Sequence, residues 1–456
     1  MGRIISIAFA CLLAGCAGYS PDAGWQEPRP LGRDYASYRP ASSQAAEKPT
    51  KAPSETKPPA DPKSPLSLRH ALALALLRNP ELAAFSWDIR AAEARRLQAS
   101  LLPNPEIGTE VEEFTGNRTG FSQSETTVTL SQLVLLGGKR VKQMRLAGLE
   151  RDLAGWDYES KRLDVFTDVV RFFVRVLGAQ RQIALTEETV HIAEGVARAA
   201  SDRVKAGAAA PVEETRAKVA LSSARIELER AQQELVAARK RLAATWGGGD
   251  AEFTETVGEL EIRLTPPPLR DLMMRISQNP DLARWVVEMD RRLAAVEVEK
   301  AKAVPDITVE AGYRHLADDD VDTFVAGFSL PLPVFDRNQG GVAESRANLA
   351  KAKEENRAAE VRIATELAEA HASLSAAAKE VDLLETEVLP GAKSAFEAIE
   401  EGYRKGKFTN LDLLEAQKTL AEAKSQHVRA LVSLHEAKAN VERLIGEPLP
   451  ATKSRP

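Results

Sequence analysis

The chain has 456 residues, with 61 Lys and Arg against 66 Asp and Glu, a formal net charge of −5. That balance excludes the basic footprint of a nucleic-acid-binding protein, and 44% hydrophobic residues are too many for a chain disordered throughout. Aromatic residues make up only 5% and alanine supplies much of the apolar content, which favours close-packed helices over a large aromatic core.

The N-terminus reads Met-Gly-Arg, then an apolar run from Ile4 to Ala14. Arg3 and this run have the form of a secretory signal peptide over 1–15, and the run is too short to span a bilayer. Leu13-Ala14-Gly15-Cys16 resembles a bacterial lipobox, which implies that Cys16 becomes a lipidated first residue; the alternative is an ordinary signal with an incidental cysteine. Ala17 in place of Asp implies onward sorting to the outer membrane. Cys11 and Cys16 are the only cysteines, so the body can hold no disulfide framework and no Cys-based metal site. An acyl chain alone anchors weakly, so something else must hold the protein in place. Residues 16–65 carry little periodicity, and Pro49, Pro53, Pro58, Pro59, Pro62 and Pro65 predict a semi-extended tether.

The body is duplicated. Asn79-Pro80 recurs as Asn279-Pro280, 200 positions on, and Pro105-Glu106-Ile107 matches Pro305-Asp306-Ile307. Further along the shift becomes 199: Gly207 matches Gly406, Leu235 matches Leu434, and Gly247 matches Gly446. The pattern predicts two copies of one unit, 66–250 and 267–447, joined at Pro266-Pro267-Pro268, with a short tail over 448–456.

Each unit opens with a short helix ending before Asn-Pro, then a second helix. Two alternating segments follow, predicted as strands at about 105–114 and 124–134, and again at 305–314 and 323–334. Each is about 10 residues, the length of a tilted membrane-spanning strand. Glu110, Glu112 and Glu310 fall on the polar side of the alternation, a candidate lumen face. The alternative is four soluble strands capping a helical domain. Each hairpin leads into a very long helix: no proline occurs from Arg140 to Lys205, enough for about 100 Å, while the second copy has Pro390 as an expected kink. Leu420, Ala423, His427, Ala430, Leu434, Ala437, Val441 and Leu444 keep a 3,4 spacing, a coiled-coil seam with small residues that let helices approach. Four strands cannot close a barrel, and an open edge cannot face lipid, so membrane-spanning strands require several chains to pool them.

In this order and with this duplication, residues 66–447 resemble the TolC-type outer-membrane efflux factors. The segment Leu330-Pro331-Leu332-Pro333-Val334-Phe335-Asp336-Arg337-Asn338-Gln339-Gly340 looks like their CzcC-like heavy-metal branch. The resemblance implies a fold that is mainly helical with a membrane β-barrel: a homotrimer with twelve pooled strands above an α-helical barrel. It implies an exit duct that conducts passively, with energy supplied by an inner-membrane transporter of the resistance-nodulation-division class joined through a periplasmic adaptor. Heavy-metal cations are the first substrate class, then drugs or organic solutes, with protein secretion a further use of the same duct. Arg203, Gly207, Lys405 and Gly406 look like the adaptor-docking tips, and Glu213, Tyr403, Asp412 and Glu415 fall where family members carry gate residues. Carboxylates ringed at a constriction attract cations; Asp412 and Glu415 also read simply as acids at a helix N-terminus. The family's basic residue two after the tip glycine is here Phe408, with Lys407 adjacent.

No enzymatic constellation is present in the sequence. His70, His191, His315, His371, His427 and His435 form no metal-ligand spacing, and a packed histidine is the expected role for His427 in the seam. Gly137-Gly138-Lys139 lacks the rest of a phosphate loop and reads as a strand-to-helix corner. No cofactor is expected beyond the lipid on Cys16. The rival from another class is a periplasmic coiled-coil scaffold lipoprotein without a pore.

Overall fold

The computed structural model describes residues 65–113 and 120–449. The expected signal peptide, Cys16, the tether up to 64, part of the first hairpin loop and the tail beyond 449 lie outside the described residues.

Two successive sets of elements repeat one order. The first comprises β1 (Leu66–Ser67), α1 (Leu68–Arg78), α2 (Pro80–Ser100), β2 (Glu106–Glu112), β3 (Glu125–Val134), α3 (Lys139–Lys205) and α4 (Pro211–Ala244). A connector follows, whose β4 (Thr256–Val257) pairs in parallel with β1. The second set comprises α5 (Leu269–Met273), α6 (Pro280–Lys302), β5 (Ile307–Leu316), β6 (Val321–Ser329), α7 (Gln339–Leu383), α8 (Leu389–Arg404) and α9 (Asn410–Ile445).

The repeated Asn-Pro has a structural reason. Asn79 caps α2, its Oδ1 accepting the Leu82 N–H at 2.9 Å while its Nδ2 donates to the Thr245 carbonyl at 2.7 Å. Asn279 caps α6 in the same way, accepting the Asp281 N–H at 2.7 Å and donating to the Leu444 carbonyl at 2.9 Å. Proline follows at N1, where no N–H is needed. One side chain thus begins one helix and satisfies the end of another far along the chain.

The 67 residues of α3 rise about 100 Å without interruption. In α9 the seam residues Leu420, Ala423, Ala430, Leu434, Ala437, Val441 and Leu444 are buried. From Ala430 to Leu444 they share a core with Ile363, Leu367, Leu374 and Val381 of α7. The helix expected to kink at Pro390 instead widens one turn earlier: Leu384–Val388 is π-helical, and the Leu389 N–H reaches the Leu384 carbonyl. Proline leaves the Thr386 carbonyl without its usual amide, and an i→i+5 turn accommodates that loss. His427 packs against this turn, 3.3 Å from Glu385 Oε1.

The four long strands form one antiparallel sheet in the order β2-β3-β5-β6. Its central pair joins the two halves, with Leu130 opposite Ala311 and Val128 opposite Tyr313. The last strand was expected to run to Val334 but ends at Ser329, because Pro331 and Pro333 have no amide to give the ladder. β2 ends at Glu112 rather than 114: Glu113 turns into the left-handed region at φ 57°. β5 begins at Ile307, two residues after Pro305, and continues to Leu316, beyond the expected 314.

Candidate functional site

The register assigns every strand residue to a face. On one lie Ile107, Val111, Val128, Leu130, Val134, Val309, Tyr313, Phe324 and Phe328, all exposed, Phe324 to 92%. Thr109, Thr126, Gln132, His315 and Asp322 share this face, but it is mostly apolar, and water does not reward so large an exposed apolar area, whereas hydrocarbon does. The opposite face carries Glu106, Glu110, Glu112, Glu125 and Glu310 among threonines, serines and glycines, with Leu133, Leu316, Val321 and Val325 as its apolar members. The three acids picked out by alternation therefore share one face. Arg314, on the polar side of the same alternation, sits among them: its guanidinium donates to Glu125 at 2.9 Å, Thr127 at 2.9 Å and Glu112 at 3.5 Å. Sequence could not supply its partners, since all three lie in the first half of the duplication and Arg314 in the second. Both outer strands, β2 and β6, have an unpaired edge within the chain.

The second region is the pair of turns at the far end of the helices. Both are closed by one hydrogen-bond pattern. Gly207 (φ 70°) donates to the Val204 carbonyl and Ala208 donates to Arg203; Gly406 (φ 72°) donates to Tyr403 and Lys407 donates to Gly402. This Schellman closure needs a left-handed residue, which explains the two matched glycines. The two turns meet through Val196, Ala197, Ala200, Ala217 and Leu413, with Tyr403 packed against this cluster. Arg203 and Tyr403, assigned to different roles from the sequence, come together here: the guanidinium carbon lies 5.1 Å from the ring centroid. Lys405 pairs locally with Glu401 on α8.

Asp412 is engaged in capping. It accepts from the Thr409 N–H at 2.8 Å and from its hydroxyl at 2.7 Å, and donates its own amide to Thr409 Oγ1 at 3.3 Å. Those bonds hold its carboxyl below the ordinary range. Glu415 lies one turn on and is exposed. Glu213 is in the first turn of α4. Its neighbour Glu214, passed over in the sequence, bonds across to Ser201 Oγ at 3.1 Å and to Lys218 at 2.7 Å; the i,i+4 Glu-Lys spacing was the available signal. Phe408 packs on Gly402, and among the described residues Tyr403 Oη and Asn410 Oδ1 are buried without a hydrogen-bond partner.

Among the described residues, no helix is long and apolar enough to cross a membrane, and no group of three or more His, Cys, Asp or Glu is arranged to hold a metal ion. Residues 71–248 and 274–447 match the family described as outer membrane efflux protein. The chain belongs to this family. It is an outer-membrane efflux channel of the CzcC-like kind. The cobalt-zinc-cadmium resistance protein CzcC of Cupriavidus metallidurans is 34% identical over 382 residues, covering 84% of this efflux protein and 90% of that relative. The nickel and cobalt resistance protein CnrC of the same organism is 30% identical over 293 residues, covering 63% and 68%. Among solved structures, the CmeC outer membrane channel of Campylobacter jejuni superposes with a TM-score of 0.70 at 18% identity, covering 83% of this chain and 85% of that one, a likeness of fold.

Proposed function

We propose that three copies of this efflux protein pool their sheets into a twelve-stranded barrel through the outer membrane. The long helices then enclose a periplasmic duct, the passive exit of a tripartite pump, built from two efflux repeats over 66–250 and 267–447. The observation that carries this reading is the two-faced sheet with two open edges: an exposed apolar side suited to lipid, an acidic side suited to a wet lumen, and edges that only further strands can satisfy. An adaptor docks at the tips around Arg203, Gly207, Lys405 and Gly406, and an inner-membrane resistance-nodulation-division transporter drives the flow. Cys16 carries the lipid that tethers the mature chain.

Divalent heavy-metal cations are the proposed substrates. Support comes from the relatives' names and from the polar face, where five glutamates stand against the single arginine Arg314. Such a face concentrates cations without binding them tightly. Tyr403, Glu213, Asp412 and Glu415 form the proposed gate. The buried, unpartnered Tyr403 Oη and Asn410 Oδ1 support a tip arrangement held at some cost and able to rearrange. The test is a strain lacking this chain: it becomes sensitive to cobalt, zinc or cadmium and regains tolerance on complementation. Unchanged metal tolerance with new sensitivity to organic toxicants assigns the duct to organic solutes instead.

A further inference from the structure

Each chain has two places where a strand leaves for a long helix beside a strand that is entering, and only one of them is sealed within the chain. At the exit of β3 and entry of β5, the Asp306 carboxylate accepts the Leu136 N–H at 2.9 Å and pairs with Lys139 at 2.7 Å. Gly137 sits so close to Val304 that a Cβ would come within 3.0 Å of it. An acid at the entering strand thus clamps the corner of the leaving one.

The 200-residue offset maps this clamp onto the exit of β6 and the entry of β2. Asp306 maps to Glu106, Leu136 to Asp336, Gly137 to Arg337 and Lys139 to Gln339. The acid is kept, and the base moves two positions earlier. Yet β2 and β6 are the two outer strands of the sheet, so these counterparts cannot meet within one chain. Strand direction alternates across the sheet, so β6 of one copy beside β2 of the next continues the antiparallel order and puts both helix-proximal ends side by side.

The leaving corner is already shaped for a partner. Val334 N–H donates to the Leu332 carbonyl at 2.8 Å, Gln339 Nε2 to the Phe335 carbonyl at 3.1 Å, and Asn338 N–H to Asp336 Oδ1 at 2.8 Å. Held this way, Phe335 is 91% exposed and Leu332 is exposed beside it. On the entering side Leu101 and Leu102 are exposed as well.

We propose that Glu106 of one copy clamps the Asp336–Arg337 corner of the next, accepting the Asp336 N–H and the Arg337 guanidinium, while Leu332 and Phe335 cover Leu101 and Leu102. The seam between copies is the external duplicate of the internal Asp306 clamp. This inference rests on the assembly proposed above and names its contact surface.

The body holds no natural cysteine, so paired cysteines report the seam directly. In isolated outer membranes under oxidation, Glu106→Cys with Arg337→Cys gives a covalent ladder up to trimer, and either change alone gives none. The oligomer is sized in parallel by light scattering. Trimers without a ladder overturn the seam and leave the assembly standing; the absence of any oligomer overturns both. Independently, Glu106→Arg lowers the temperature at which the oligomer dissociates, and adding Arg337→Glu restores it. A pair no more stable than the single variant overturns the ion pair.

Discussion

Gly402 has no room for a side chain, because a Cβ there would lie 2.3 Å from Phe408 Cδ2. Gly402→Ala is therefore expected to cost about 1–3 kcal/mol through overpacking and to expose the 403–408 turn to protease. Adding Phe408→Ala removes the obstacle and restores resistance; a double variant as sensitive as the single one contradicts this packing. The same pair shows where sequence reading fell short. The family resemblance marked Phe408 as a missing basic residue, and only the folded turn reveals that its ring fills the space above a glycine six positions earlier. Asp412 carries a similar lesson. Its lowered carboxyl favours the folded tip above the ordinary aspartate value of about 3.9 and stops doing so as pH falls through the lower folded value, so protease sensitivity at α9's start should rise only below about pH 4. An Asp412→Ala variant would therefore mix a lost cap with any lost gate charge. Glu415→Gln leaves the cap intact and is the cleaner test: conductance is expected to rise if Glu415 narrows the closed tip, and unchanged conductance removes it from the gate.

The helices are fixed at their ends by single side chains that local pattern exposes and tertiary contact explains. Asn-Pro at 79 and 279 was legible as a repeat and as a helix start, but its bond to a distant helix end was not, since nothing local signals the Thr245 or Leu444 carbonyl. Asn279→Ala loses the cap and strands the buried Leu444 carbonyl, an expected loss of about 2 kcal/mol measured by thermal or denaturant unfolding. Asn279→Asp keeps the cap acceptor and still destabilises, because its oxygen replaces the donor. The connector between the repeats is held by His435, whose Nε2 lies 3.0 Å from the Leu260 carbonyl. Burial pushes its pKa below the ordinary value. The unfolded chain then binds the proton first, so stability is full above about pH 6.5 and falls as pH drops from there toward the lower folded value. His435→Gln, which can still donate to the carbonyl, should flatten the melting-temperature profile between neutral and mildly acidic pH. An unaltered slope contradicts the assignment. Strand existence and facing were legible from alternation; strand ends were set by Pro331, Pro333 and the left-handed Glu113, and Pro390 was legible as a break in the helix but not as the π turn that absorbs it.

At the scale of the molecule, the sheet is the part that a single chain leaves unfinished. Duplication, strand length and the open edges at β2 and β6 support the proposed completion by further copies of this chain, an assembly in which the acidic face would surround the path. Arg314 tempers that face by pairing with Glu112 and Glu125. Arg314→Gln should therefore raise preference for cations over anions while leaving the apolar face untouched. The measurement that bears most directly on the whole account is single-channel recording of the purified protein in a planar bilayer under a salt gradient. Discrete conductance steps with a cation-selective reversal potential, shifted further toward cations by Arg314→Gln, are the predicted result. Folded, membrane-inserted oligomers that pass no current, in the wild type and in the Glu415→Gln tip variant alike, would contradict it and leave a scaffold without a pore.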